Sequence, residues 1–161
     1  MPHPSRKATT LVKDISQELA QEYGVTSSHS LMDNGELRYR LVSTDGSAYV
    51  RVEASADGGW QNSHYHKVVL ETYIIQKGWA AFTERDNNMV LWKMMKPGDV
   101  YTTRREIPHN VYLPGNAVIH VVKHGGNGPE DDWYSDAELD AMTKHIPEDD
   151  ILLKGQQATV G

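Results

Sequence analysis

The sequence predicts a mainly β, single-domain protein whose strands form an antiparallel barrel or sandwich. From Glu36 onward, short stretches alternate apolar and polar residues, the period of a strand with one buried face. Turn-forming clusters punctuate them at short intervals: Thr44-Asp45-Gly46-Ser47, Asp86-Asn87-Asn88, Pro97-Gly98 and Pro114-Gly115-Asn116. Helical periodicity is confined to the two ends, and 161 residues with 39% hydrophobic content suit one domain around one core.

Residues 1–8 read as a flexible tail. Across 9–24, Leu11, Ile15 and Leu19 recur at i, i+4 and i+8 before Gly24 supplies a stop, which predicts an accessory helix packed on the barrel's outside or on a partner subunit. A hairpin follows, with strands over 37–41 and 48–53. Further strands are expected over 68–76, 79–84, 89–95, 100–103, 110–113 and 117–123, so the barrel spans 36–124. Gly125 to Asp132 form a polar linker. A C-terminal helix is predicted over 133–147, opened by a capping box from Ser135 to Glu138, striped by Leu139, Met142 and Ile146, and closed by Pro147. There is no internal repeat and no second domain.

The most informative stretch runs from Gly58 to Gly78. On one strand, His64 and His66 aim both rings at the same face, and Glu71 follows on the next hydrophobic strand, within reach if the chain bends between them. Nitrogen and oxygen ligands of this kind suit zinc, manganese, iron or nickel. A His-x-His pair alone is common on solvated strands, but here glycines frame it. Gly58, His64, His66, Glu71 and Gly78 match G-x5-H-x-H-x4-E-x6-G at every position, and the segment resembles the first signature of the cupin superfamily. The resemblance implies a double-stranded β-helix, a small antiparallel barrel in which these three residues bind one divalent transition metal with a histidine from a second motif. Counting from Gly98 in that motif, G-x5-P-x-G-x2-H-x3-N, reaches His109 as the fourth ligand. The second match is partial, because Arg104, Glu106 and Leu113 replace the motif's proline, glycine and asparagine.

Other residues are candidates around such a site. Arg104 and Arg105 are placed at the barrel mouth, with Gln61 and Asn62, as substrate contacts; solvated arginines at an edge are the plainer alternative. His120, inside the run from Val118 to Val122, is either a satisfied core histidine or, if inward, a proton carrier. Tyr73 shares a face with Glu71 and either packs or holds its hydroxyl over the metal. Trp60, Trp79 and Trp92 are expected to pack.

Composition excludes several functions. A net charge of −6 without a basic run argues against nucleic acid as a partner. The absence of cysteine rules out disulfides and thiolate ligands. No stretch approaches the ~20 apolar residues of a membrane span and no apolar signal core follows Met1, so a cytoplasmic location is the expectation. The partner expected is a small-molecule substrate or ligand, and the assembly a homodimer, as cupin barrels often pair. Three functions remain open: sugar isomerase- or epimerase-like Lewis-acid chemistry on a small polyhydroxylated or carboxylated compound, a non-haem iron dioxygenase, and a non-catalytic small-molecule-binding cupin.

Overall fold

The computed structural model describes residues 17–126 and 132–158. Helix α1 (Gln17–Glu22) precedes twelve strands: β1 (Val25–Leu31), β2 (Leu37–Ser43), β3 (Ala48–Glu53), β4 (Gly59–Trp60), β5 (His64–Tyr65), β6 (Leu70–Lys77), β7 (Ala80–Asp86), β8 (Met89–Met95), β9 (Val100–Thr102), β10 (His109–Leu113), β11 (Val118–His124) and β12 (Tyr134–Ser135). Helices α2 (Ala137–Thr143) and α3 (Glu148–Ala158) end the described chain. The expected tail and the first half of the expected N-terminal helix lie outside the described residues. No described helix is long and apolar enough to cross a membrane.

Every strand pairing is antiparallel, and two sheets result. The first has the order β1-β2-β3-β11-β6-β9, the second β12-β5-β10-β7-β8, with β4 also on β10. After the β1-β2-β3 meander the chain crosses repeatedly between sheets, strand by strand from β8 to β12, which winds the two layers into one barrel. Val50, Val52, Tyr73, Ile75, Ile119 and Val121 of the first sheet meet Phe82, Met95, Val111 and Leu113 of the second to form the core.

Two glycines of the first signature are dictated by geometry. Gly58 has φ +70, and a Cβ there would lie 2.5 Å from the Leu113 carbonyl oxygen. Gly78 has φ +81, with Ala117 Cβ 3.1 Å from where its own Cβ would be. Only glycine takes these conformations at such close approach without strain.

Two elements differ from expectation. Strand β1 was not predicted, because Val25-Thr26-Ser27-Ser28-His29-Ser30-Leu31 is too polar to show a buried period; its residues pair along β2 from Val25↔Ser43 to Leu31↔Leu37. The C-terminal helix is two helices. Asp136 caps α2, its carboxylate accepting from the Leu139 N–H at 2.8 Å. Pro147 starts α3, its carbonyl accepting from Asp150 and Ile151, and does not close the helical region. A proline lacks only an N–H that a first turn leaves unused.

Helix α3 covers the outer face of the second sheet. Ile151 packs with Ala81 and Tyr112, against Trp60, Trp79, Trp92, Met94 and Ile146. Trp60 Nε1 donates to the Ile146 carbonyl at 3.1 Å, and the Tyr112 hydroxyl donates to Glu148 Oε2 at 2.7 Å. Strand β10 is consequently buried on both faces along its whole length.

The Asp136 carboxylate is also gripped by Arg85, at 3.1 Å through Nε and 2.7 Å through Nη2. Burial pushes this carboxyl up, but Arg85 and the Leu139 N–H outweigh it and hold it below the usual carboxylate range. Asp136→Ala should cost about 2 kcal/mol at neutral pH, from a lost cap and a lost ion pair. A depressed carboxyl contributes fully above its unfolded value of about 3.9 and loses that contribution as pH falls through the folded value. Urea denaturation should therefore show the gap between wild type and variant narrowing at acid pH.

Candidate metal centre

The two sheets contribute different ligands. Glu71 and Tyr73 point inward from β6, where burial alternates residue by residue. His64 and His109 stand opposite one another on paired strands β5 and β10, and His66 follows directly after β5. One ligand atom from each of His64, His66, Glu71 and His109 lies within 4.8 Å of all the others, and all four residues are buried. The Nε2 atoms of His64, His66 and His109 lie 3.5, 3.4 and 3.2 Å from Glu71 Oε2.

Each imidazole is oriented from behind by a carbonyl. His64 Nδ1 donates to Asn62 O at 2.9 Å, His109 Nδ1 to Ile107 O at 3.2 Å, and His66 Nδ1 to Asp132 O. A carbonyl only accepts, so the proton is assigned to Nδ1 and, in a neutral ring, the Nε2 lone pair is left facing inward. Three such lone pairs and a carboxylate oxygen then face one another, and the buried His66 Nε2 makes no hydrogen bond. Four electron-rich atoms in one buried spot call for a cation, and a hydrogen-bonded far nitrogen is the usual arrangement of a metal-binding histidine. The donor set fits one divalent metal ion, with no thiolate.

The buried carboxylate and imidazoles also shift one another's titration. Burial alone would push the Glu71 carboxyl up, but the three imidazoles outweigh it and hold the group well below the usual carboxylate range. Burial pulls His64 down toward the neutral ring; at His66 the opposing pull of Glu71 and the Asp132 carbonyl prevails and raises it. The Tyr73 hydroxyl donates to Glu71 Oε2 at 2.7 Å, and burial together with that carboxylate holds its proton on.

The centre opens onto a cavity of about 390 Å³ between the sheets. Its walls include Gln61, Asn62, Trp133, Lys123, Arg38 and Arg40, with Val50, Val52 and Val121 between them. Gln61 Nε2 donates to both oxygens of the buried Glu36 carboxylate at 3.1 Å. Lys123 Nζ lies 3.5 Å from Glu71 Oε1, and the Trp133 ring stacks on His64 at 5.2 Å.

Three residues placed at the site by sequence reasoning lie away from this cavity. Arg104 is exposed and pairs with Glu84 at 2.6 Å. Arg105 donates to the Val68 and Gly125 carbonyls at 2.8 and 2.9 Å, bracing loops and not facing the cavity. His120 sits on the outer face of the first sheet, hydrogen-bonded to the Tyr49 hydroxyl and Gln76, because the inward period of β11 falls on Ile119, Val121 and Lys123.

Sequence reasoning missed Asp132. Its carboxylate accepts the backbone N–H groups of Lys67, Val68 and Val69 at 2.9, 3.0 and 2.9 Å, while its carbonyl orients His66. This contact spans more than sixty residues and leaves no local signal. The second motif also keeps its backbone where its residues depart: Glu106, at the motif's glycine position, has φ +60 and donates its N–H to His66 O at 2.7 Å.

No protein-family model matches the sequence, and comparison with curated proteins gave no match. Solved structures do match in fold. Oxalate decarboxylase from Bacillus subtilis aligns with a TM-score of 0.58 at 15% identity, over 92% of this chain and 45% of that one. Its counterpart from Lactobacillus farciminis aligns at 0.55 and 20%, over 81% and 39%. The capsular polysaccharide assembling protein CapF from Staphylococcus aureus aligns at 0.55 and 13%, over 68% and 34%. The chain shares their fold, the cupin barrel. It spans less than half the length of these three cupins.

Asp132 braces the candidate metal centre. An amide there presents an NH₂ to at least one of the three N–H groups that now point at oxygen. Asp132→Asn should thus weaken metal binding roughly 10–100-fold, the usual effect of disturbing a ligand's support. Competition with a chromophoric chelator reads this directly, with circular dichroism checking that the barrel remains folded.

Proposed function

We propose that this cupin is a metal-dependent enzyme that performs non-redox, Lewis-acid chemistry on a small oxygen-rich compound, in the manner of sugar isomerases and epimerases. The observation that carries the reading is the buried His64, His66, Glu71 and His109 cluster, two of whose members, His64 and Glu71, line a cavity of mixed polar and apolar walls large enough for a small metabolite. A divalent ion held by three imidazoles and one carboxylate supplies Lewis acidity toward a carbonyl or hydroxyl oxygen. Bacillus subtilis oxalate decarboxylase, similar in fold, has Mn(II) centres, which supports manganese among the candidate metals.

The chain's own side chains have separable roles in this reading. Tyr73 fixes the Glu71 carboxylate and, with its proton held on, acts as a donor and not as a base. Lys123 offers an ammonium beside Glu71 at the cavity wall. Gln61 and Asn62 contribute polar wall, while Val50, Val52, Val121 and Trp133 limit the room for water.

His66→Ala and His64→Ala should reduce the bound metal from about one ion per chain to a small fraction, since a site losing one of its ligands loses most of its affinity. Elemental analysis of protein purified without added metal is the readout. The wild-type protein, reconstituted with each candidate metal, is then offered sugars, sugar phosphates and hydroxy acids. Turnover without oxygen uptake supports the reading. Substrate-linked oxygen uptake would instead assign a dioxygenase, and absence of turnover with every metal would assign a binding protein.

A further inference from the structure

The inner face of the first sheet carries cations where a barrel core would carry aliphatic side chains. Pairing places Arg40 opposite Val50, Val50 opposite Val121, and Val121 opposite Tyr73; Arg38, Val52, Ile119 and Ile75 form the adjacent row. Each row thus runs from a guanidinium on β2, across two aliphatic side chains, to β6, the strand that carries Glu71. At about 4.8 Å per strand, three strand spacings put roughly 14 Å of sheet between the Arg40 and Tyr73 backbones.

The two arginines are not equivalent. Arg38 is compensated, its Nε and Nη2 donating to Glu36 Oε2 at 3.1 and 2.9 Å. Arg40 donates only to the neutral Ser30 Oγ and Met32 Sδ, and among the described residues no carboxylate forms an ion pair with it. Burial and the neighbouring Arg38 charge pull the Arg40 guanidinium below its usual value, against a smaller upward pull from the Glu36 carboxylate, which makes no ion pair with it. A half-buried, uncompensated guanidinium is costly unless an anion arrives to pair with it.

We propose that Arg40 is the carboxylate-binding residue of the cavity, so that the ligand is a small organic acid whose carboxylate pairs with Arg40 and whose oxygen-bearing end faces the His64, His66, Glu71 and His109 cluster. This rests on the functional reading above and names its substrate class. The planar guanidinium fork matches a carboxylate in a bidentate pair. Among the cations lining the cavity, Arg38 and Lys123 each lie beside a carboxylate of the chain, which leaves the single charge of Arg40 to be matched by a single carboxylate of the ligand. Val50, Val52 and Val121 between the two ends accommodate a carbon skeleton.

The test is binding, not turnover. Manganese-loaded protein is titrated calorimetrically with lactate, pyruvate and gluconate, with their neutral amides, and with inorganic phosphate. At least one acid should bind at least tenfold more tightly than its amide and than phosphate. Arg40→Met should weaken that acid roughly 10–100-fold, the range expected for loss of a charge-assisted bidentate pair, with metal content unchanged. Arg40→Lys, which keeps the charge and loses the fork, should fall between them, and it decides the matter if the methionine variant does not fold. The inference is overturned if no acid outbinds its amide, if phosphate binds best, or if the folded Arg40 variants bind the acid as wild type does. A failure of the metal reading is distinct, because it appears as His66→Ala retaining its ion.

Discussion

Three imidazole nitrogens and one carboxylate oxygen converge on one point, and the rest of the molecule is arranged around the repulsion they would feel without a cation. Their donor protons are committed outward, to the carbonyls of Asn62, Ile107 and Asp132. With those protons committed, the inward atoms are left as acceptors facing acceptors. Because Glu71 comes from one sheet and the histidines from the strands of the other, a bound ion would tie the two layers together at the end where the core gives way to a cavity.

Such a centre needs rigid support, and most of it comes from outside the ligand set. Asp132 gathers three N–H groups of the 67–69 loop, and the Glu106 N–H holds the His66 carbonyl, so the loop between His66 and Glu71 is clamped from two distant segments. The left-handed backbone at Glu106 costs on the order of 1 kcal/mol for a residue with a Cβ. Its persistence where a glycine would be free of strain indicates that the surrounding hydrogen bonds impose the conformation. Helix α3 and the tryptophans behind the second sheet bury β10 on both faces, which keeps His109 in register with His64.

The fold and the members of the His64, His66, Glu71 and His109 cluster were legible in sequence because both are written in short-range periods. Alternation marked the strands, and fixed spacing between Gly58 and Gly78 marked three ligands on two neighbouring segments. What failed to show depends on contacts across the barrel. Strand β1 is held by pairing with β2, not by its own apolar face. His120 looked central in an apolar run, yet the face of β11 that turns inward is set by pairing with β3 and β6, which places Lys123 in the site and His120 outside. In β2 the usual rule inverts: Leu37 and Tyr39 lie on the outer face, while Arg38 and Arg40 occupy interior positions opposite Val52 and Val50. A departure from binary patterning of this kind is expected where a site is built into a fold.

That inversion also gives the electrostatics of the molecule their direction. The chain as a whole carries a net charge of −6, so its average field repels anions. The cavity has the opposite sign, because three cationic side chains line it and its nearest carboxylates are already engaged with Arg38, Gln61, Lys123 and the imidazoles. Inside low-dielectric walls of valine and tyrosine, an unpaired guanidinium projects its field over a distance that a solvated surface arginine such as Arg104 does not, since water and salt screen the latter within about 10 Å. Discrimination for the proposed anionic ligand would therefore come from the interior of the barrel and not from its rim, through residues of β2 and β11 and not of the loops at the mouth.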